Sequence, residues 1–84
     1  MNNPGYHVTL IDKGSLGELS KILEEINEAI DAEKQGCKIM TLIELSDMIG
    51  ATKRYLEKHH PDITLDDLLT MADITRRAFE NGHR

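Results

Sequence analysis

The sequence has little of what usually stabilises a small domain. Among its 84 residues it has no tryptophan, one phenylalanine and two tyrosines, so the chain by itself can bury little bulky aromatic surface. Its one cysteine, Cys37, has no partner in the chain, which excludes an intrachain disulfide. Small scaffolds without such supports often associate through their helices, so we expect a homodimer or a homotetramer.

The sequence also lacks long apolar runs and an excess of positive charge. No run is long enough to cross a bilayer and no signal-peptide pattern is present, so we expect a cytoplasmic protein with no membrane partner. The formal net charge of -5 argues against a nucleic-acid polymer as partner, because such binding depends on Lys and Arg contacts to phosphate. A small phosphate ligand remains compatible with this charge if a bound cation bridges it to the acids.

The hydrophobic pattern predicts an all-α chain of three helices that assembles into an oligomeric helical bundle. We expect a single domain with an N-terminal arm over residues 1–14 and helices at about residues 16–35, 39–59 and 65–81. Residues 7–11 are rich in β-branched side chains, which is compatible with a short strand or with an extended segment.

Capping signals define the ends of the predicted helices. Ser15 and Glu18 match a capping box, which places the start of the first helix directly after Ser15. Gly36 is a natural C-terminal cap for the same helix. Thr64 is the expected N-cap of the third helix, with Asp67 in the capping-box position.

The middle helix is predicted to be apolar on two sides. One side carries Leu42, Leu45, Ile49 and Leu56, and the other carries Met40, Met48, Ala51 and Tyr55. A helix that is apolar on two sides is usually packed on two sides, so we expect this helix to be central.

Two of the predicted helices carry acidic residues three positions apart. The first contains Glu24, Glu25 and Glu28, and the second contains Glu44 and Asp47. Residues i and i+3 lie on the same side of a helix, so each pair directs two carboxylates one way. Two such helices facing each other would present four carboxylates to one point. That arrangement suits a hard divalent cation and, through it, a phosphate substrate.

Simpler interpretations of these acids exist. The acids of the first helix could form a solvated helix face. Glu44 and Asp47 interrupt an otherwise apolar segment, where a buried carboxylate is costly unless it is paired or bound to a metal. The alternative for these two is a salt bridge with Lys21 or Arg54. We favour the cation site because the two acidic pairs occur together, in this order on two helices. Such a combination is less expected by accident than either pair alone.

The combined acidic pattern resembles the signature of a known enzyme superfamily. It reads Glu24-Glu25-x-x-Glu28, fifteen intervening residues, then Glu44-x-x-Asp47. This spacing resembles that of the all-α nucleoside triphosphate pyrophosphohydrolases, the MazG-like superfamily, which also includes dimeric dUTPases, dCTPases and phosphoribosyl-ATP pyrophosphohydrolases. The resemblance covers about half of the chain, and the compact length is similar to that of small members carried by bacteriophages. It implies hydrolysis of a nucleoside triphosphate to the monophosphate and pyrophosphate.

The resemblance also implies roles for individual residues. The implied ligands of Mg²⁺ or Mn²⁺ are Glu25, Glu28, Glu44 and Asp47. Glu24 and Glu25 would be catalytic, and Glu24 would either support the ligands or act as the base that orients the attacking water. Arg and Lys side chains suit phosphate oxygens. The residues implied to bind the phosphates are Lys21, Arg54, Lys58 and Arg76.

The chain departs from the family pattern at its N-terminus. Typical members have another full helix ahead of the acidic one, whereas residues 1–14 occupy that place here. We therefore expect that the pocket for base and sugar is either missing or completed by a second subunit. The alternatives are a phosphoribosyl-ATP pyrophosphohydrolase, a non-catalytic module that binds a nucleotide or a partner helix, and a plain helical module whose acids only decorate the surface.

Overall fold

The computed structural model describes residues 7–82, apart from the side chains of residues 78 and 79, and all regular structure in that range is helical. The helices are α1 (Leu19–Lys34), α2 (Lys38–His59) and α3 (Leu65–Glu80). The prediction of an all-α chain with three helices is confirmed. The strand alternative for residues 7–11 is wrong, because these residues form no strand. Residues 1–6 of the predicted arm lie outside the described residues.

α1 begins three residues later than the sequence predicts. Gly17 has a φ of +90°, a left-handed conformation that interrupts a right-handed helix. Glu18 occupies the N-cap position without a side-chain capping hydrogen bond, so the predicted capping box of Ser15 and Glu18 is wrong. The Ser15 carbonyl instead accepts the Glu18 N–H at 2.9 Å in a turn ahead of the helix. The Glu18 carboxylate pairs with Lys58 and His59 at the end of α2.

The other helix ends follow the predicted signals. Gly36 has a φ of +74° directly after Gln35, the C-cap of α1, as expected for a glycine that ends a helix. Thr64 and Asp67 form the predicted capping box. The Thr64 hydroxyl accepts the Asp67 N–H at 3.1 Å, and the Asp67 carboxylate accepts the Thr64 N–H at 2.9 Å.

α1 and α2 pack against each other, and most of the residues buried on them are small or acidic. The buried residues of α1 are Glu24, Glu25, Ala29, Asp31 and Ala32, and those of α2 are Glu44, Ala51 and Leu56. Large apolar side chains of both helices are exposed. We call these the outer apolar surface; it comprises Leu19, Leu23, Ile26, Ile30, Ile39, Leu42, Ile43, Leu45 and Ile49. A single chain therefore exposes the kind of surface that usually forms a core or an interface.

α3 is joined less closely to the other helices. Its helix–helix packing is with α2, and an apolar groove of about 420 Å³ has Ile22, Leu56 and Leu68 among its lining residues. Within residues 7–82, no helix has the length and apolarity that crossing a bilayer requires. The structural features that position the acids are therefore α1, α2 and the segment that precedes α1.

Candidate metal centre

The structure places the four acids predicted to bind a metal in overlapping groups of three. Carboxylate oxygens of Glu25, Glu44 and Asp47 lie within 4.8 Å of one another, and so do those of Glu24, Glu25 and Glu28. Two ligands of one cation at about 2.1 Å are about 3 Å apart at right angles and about 4 Å apart when opposite. The 4.8 Å limit is wider than those values, so the carboxylates would move closer together around a bound cation. We call Glu25, Glu28, Glu44 and Asp47 the acidic cluster.

Burial shows that the solvated-face interpretation is wrong for two of the three α1 acids. Glu24 and Glu25 are only 3% and 5% exposed, and Glu44 on α2 is 4% exposed. Glu28 is half-buried, while Asp47 is exposed and connects the acidic cluster with solvent. Buried carboxylates cost free energy unless they are paired or bound to a metal, so each of them requires a partner.

Glu25 lacks a complete set of such partners. Its Oε1 lies 3.6 Å from Lys21 Nζ, but its Oε2 is buried and has no hydrogen-bond partner among the described residues. Burial and the adjacent Glu28 carboxylate raise the pKa of Glu25 to about 7. A divalent cation would satisfy Oε2 and offset the repulsion between the carboxylates. The donor set therefore fits a hard divalent cation.

Glu44 lies in a similar environment on α2. Burial and the neighbouring Asp47 raise the pKa of Glu44 above its ordinary value. The predicted alternative of a salt bridge from Lys21 or Arg54 is not the pairing in the structure. Lys21 pairs with acids of its own helix, and Arg54 Nε lies 3.6 Å from Glu57.

The Glu24 carboxylate binds the segment ahead of α1. Its Oε1 accepts the Gly14 N–H at 2.8 Å and lies 3.2 Å from Lys21 Nζ, while Lys13 Nζ is 3.7 Å from Oε2. Burial acts to raise the pKa of Glu24, but the Gly14 N–H and Lys21 outweigh it, and the pKa is lowered. Because Oε1 already accepts a hydrogen bond and an ammonium group lies near each oxygen, this geometry favours a positioning role for Glu24 over that of a base.

The predicted phosphate-binding residues are spread over the molecule. Lys21 is beside the acidic cluster, 3.6 Å from Glu25. The other three pair with acids outside the cluster; these pairs are Arg54–Glu57, Lys58–Glu18 and Arg76–Glu80. Lys58 follows Asp47 by eleven residues, which is roughly 16 Å along a helix at about 1.5 Å per residue. Of these four predicted residues, Lys21 alone is placed next to the cluster by its contacts within one chain.

His7, which the sequence did not indicate, also points at the acidic cluster. Its side chain is 8% exposed, and its Nε2 lies 3.3 Å from Glu44 Oε2 and 3.7 Å from Glu28 Oε1. On the other side of the ring, Nδ1 lies 2.8 Å from Asp31 Oδ2. A single histidine in a stretch without helical periodicity gives no sequence signal, because only the folded chain brings it to α1 and α2.

Asp31 anchors the segment that carries His7. Its carboxylate accepts the Val8 N–H at 3.1 Å, the Thr9 N–H at 3.0 Å and the Gln35 side-chain N–H at 2.9 Å. Burial acts to raise the pKa of Asp31, but donors from Thr9, His7, Val8 and Gln35 lower it to about 2. Asp31 lies three residues after Glu28 on the same side of α1, and this spacing could have identified Asp31 from the sequence.

A cavity of about 460 Å³ opens at the turn between α1 and α2, away from these acids. Its lining includes Glu33, Cys37 and Leu42 and is mostly apolar. The acidic cluster does not line it. We place the candidate site at the carboxylates because convergent charged groups, and not cavity size, are what a metal or phosphate requires.

Comparison with models of known protein families, with curated proteins and with solved structures gave no match. The resemblance to the MazG-like superfamily therefore stays a prediction that rests on the spacing of the acids in this chain.

Proposed function

We propose that the protein is a divalent-metal-dependent nucleoside triphosphate pyrophosphohydrolase of the MazG-like type, acting in the cytoplasm. The observation that carries the proposal is the convergence of the acidic cluster from two helices, with the buried Oε2 of Glu25 lacking a partner among the described residues. Mg²⁺ or Mn²⁺ suits a set of carboxylate oxygens. A cation held by buried acids also explains how a chain of net charge -5 would accept a triphosphate.

The chain's own residues would divide the work of hydrolysis. Glu25, Glu28, Glu44 and Asp47 would hold the cation, which neutralises charge on the triphosphate and on the leaving pyrophosphate. Lys21 would donate to a phosphate oxygen, since its ammonium group already lies beside Glu25. Glu25 would orient the attacking water by accepting its hydrogen bond. The water oxygen bonds to the α-phosphorus, and the bond from this phosphorus to the oxygen that bridges it to the β-phosphorus breaks, which releases pyrophosphate. The water proton passes to a carboxylate.

The remainder of the substrate site would come from another copy of the chain. Arg54, Lys58 and Arg76 pair with acids outside the acidic cluster, so one chain offers few cations for three phosphates. The outer apolar surface supports a homodimer or homotetramer, because fully burying one such side chain stabilises by about 1.5–3 kcal/mol. Facing copies could then contribute basic residues to each other's acidic clusters.

Pyrophosphate release tests this function. The purified protein is incubated with a panel of ribo- and deoxyribonucleoside triphosphates and phosphoribosyl-ATP, with Mg²⁺, Mn²⁺ or chelator. We expect metal-dependent release from at least one substrate, and a loss of at least about 100-fold in Glu28→Gln and in Asp47→Asn, since even residues that only support metal ligands cost up to about that factor. Glu33→Gln, an exposed acid of the same helix, is the control and keeps its activity.

Other results would support other functions. Turnover that survives both substitutions would remove the acidic cluster from the mechanism. Nucleotide binding without pyrophosphate release would instead support a non-catalytic binding module. The pairing of three predicted phosphate ligands with acids outside the acidic cluster is the observation that favours this second candidate.

A further inference from the structure

We propose that His7 is an additional ligand of the cation bound by the acidic cluster, and that Asp31 orients its ring. The centre is then a mixed nitrogen–oxygen site that prefers Mn²⁺ and other transition-metal ions to Mg²⁺. This inference rests on the proposed metal centre. It adds a ligand from outside the acidic pattern, supplied by the segment ahead of α1.

The position of His7 Nε2 supports this assignment. Nε2 and one oxygen each from Glu28 and Glu44 lie within 4.8 Å of one another. The distances from Nε2 to these oxygens are 3.7 Å and 3.3 Å. Ligands of one transition-metal ion at about 2.1 Å are about 3 Å apart at right angles and about 4 Å apart when opposite. Both distances to Nε2 fall in that interval, and the Glu28 and Glu44 oxygens lie within 4.8 Å of each other, so one ion can contact all three groups if the two carboxylates close around it.

The hydrogen bond on the other side of the ring fixes which nitrogen faces the cluster. An ionised Asp31 carboxylate can only accept, so His7 Nδ1 donates the hydrogen bond of 2.8 Å. Nε2 is then the nitrogen directed at Glu28 and Glu44. Histidines that bind metals in proteins commonly donate their second ring N–H to a carboxylate in this way, which holds the ring in place.

A second, independent observation comes from Glu25. An ion pair between His7 and Glu44 would not supply a partner for Oε2 of Glu25, which is buried in a side chain only 7% exposed. The Glu28 and Glu44 carboxylates that lie near His7 Nε2 each also have an oxygen within 4.8 Å of a Glu25 oxygen, so a cation bound between them would lie beside Glu25 as well as beside the imidazole. The arrangement around His7 is therefore better explained by a shared cation than by an ion pair alone.

A nitrogen ligand changes the preferred metal. Sites built from carboxylates alone suit Mg²⁺, Ca²⁺ and Mn²⁺, whereas imidazole suits transition metals and binds Mg²⁺ poorly. Mn²⁺ tolerates both donor types. Addition of His7 to the carboxylates therefore shifts selectivity away from Mg²⁺.

Pulsed electron paramagnetic resonance of the Mn²⁺-loaded wild-type protein tests the nitrogen ligand directly. We expect electron spin echo modulation from one directly bound ¹⁴N, replaced by the ¹⁵N pattern when the protein is grown with ¹⁵N-histidine. The modulation is lost in His7→Gln and kept in His59→Gln, a matched control at the far end of α2. Mn²⁺ that binds without nitrogen modulation would overturn the role of His7 while leaving the carboxylate centre in place.

Calorimetric titration with Mn²⁺ alone and with Mg²⁺ alone measures the selectivity. We expect His7→Gln to weaken Mn²⁺ binding by about 10- to 100-fold and Mg²⁺ binding by clearly less, and Asp31→Asn to weaken Mn²⁺ binding by at least about tenfold. Equal losses for both metals would overturn the selectivity argument. Asp31 also anchors Val8 and Thr9, so replacing it can prevent folding. If Asp31→Asn does not fold, the electron paramagnetic resonance spectrum of the wild-type protein tests the role of His7 by itself. If no cation binds the wild-type protein at all, both this inference and the proposed function fail.

Discussion

Replacing Glu25 by glutamine should stabilise the metal-free protein. Burial and Glu28 raise the pKa of Glu25 to about 7, well above its ordinary value of 4.5. The folded state therefore binds this proton more tightly than the unfolded chain does. The stability it contributes is complete below about pH 4.5 and is lost as the pH rises through about 7. In chelator at alkaline pH, an ionised Glu25 opposes folding, and glutamine removes that charge at nearly constant size.

The size of the effect follows from the pKa. A rise from 4.5 to about 7 corresponds to about 3 kcal/mol, because one pKa unit is worth about 1.4 kcal/mol. Glutamine forfeits the contact of Glu25 with Lys21 at 3.6 Å, so we expect a net gain in the free energy of unfolding of roughly 1–3 kcal/mol. For a chain of this length the melting temperature would rise by roughly 5–20 °C.

Thermal unfolding at fixed protein concentration measures this, with wild type and Glu25→Gln compared in chelator at about pH 5 and about pH 8. The gain should be large at the higher pH and small at the lower one. Glu33→Gln, which replaces an exposed acid of α1, should leave the melting temperature unchanged at both pH values. With Mn²⁺ the order reverses, since the wild type gains stability from a ligand that the variant binds weakly. Equal melting temperatures of both proteins at about pH 8 in chelator would refute the reasoning about Glu25.

Two further predictions concern the segment ahead of α1 and the outer apolar surface. Gly14→Ala places a Cβ 2.2 Å from the Ser20 carbonyl oxygen, so the segment carrying His7 must shift; we expect Mn²⁺ affinity to fall by at least about tenfold. Gly50→Ala, which meets nothing within 4 Å, should instead leave Mn²⁺ affinity unchanged and raise stability by about 0.5–1 kcal/mol. Unaltered Mn²⁺ affinity in Gly14→Ala would contradict the role of the segment. Leu23→Asp, on the outer apolar surface, should shift the protein towards monomer in light scattering, whereas an oligomer of unchanged size would place the interface elsewhere.

Local signals in the sequence determined most of the helix boundaries. Gly36 and the pair of Thr64 and Asp67 act through hydrogen bonds and backbone angles of a few neighbouring residues, so the sequence alone predicts them. The start of α1 was predicted wrongly because two local signals compete there. Ser15 and Glu18 match a capping box, but the left-handed conformation of Gly17 between them delays the helix to Leu19.

The candidate site could be predicted only as far as helical periodicity reaches. Spacing places Glu25 with Glu28 and Glu44 with Asp47, and the packing of α1 on α2 brings the two pairs together. The burial of Glu25 depends on a neighbouring helix, so the sequence of α1 alone could not predict it. His7 escaped prediction because tertiary contacts alone bring it to the cluster. Arg54 shares a helix stripe with Asp47, but periodicity gives no information on its pairing with Glu57.

The polarity of α1 and α2 has a consequence for how the protein would behave in a cell. Several acids of these helices are buried while many of their large apolar side chains are exposed, so a single chain combines charge repulsion inside with an apolar exterior. If copies of the chain associate through this surface, newly made chains at low abundance would be degraded faster, because a chain that spends more time unfolded is degraded faster. Steady-state protein level would then rise more steeply than synthesis rate, and, if the acidic cluster binds a cation, it would also fall when that metal is scarce.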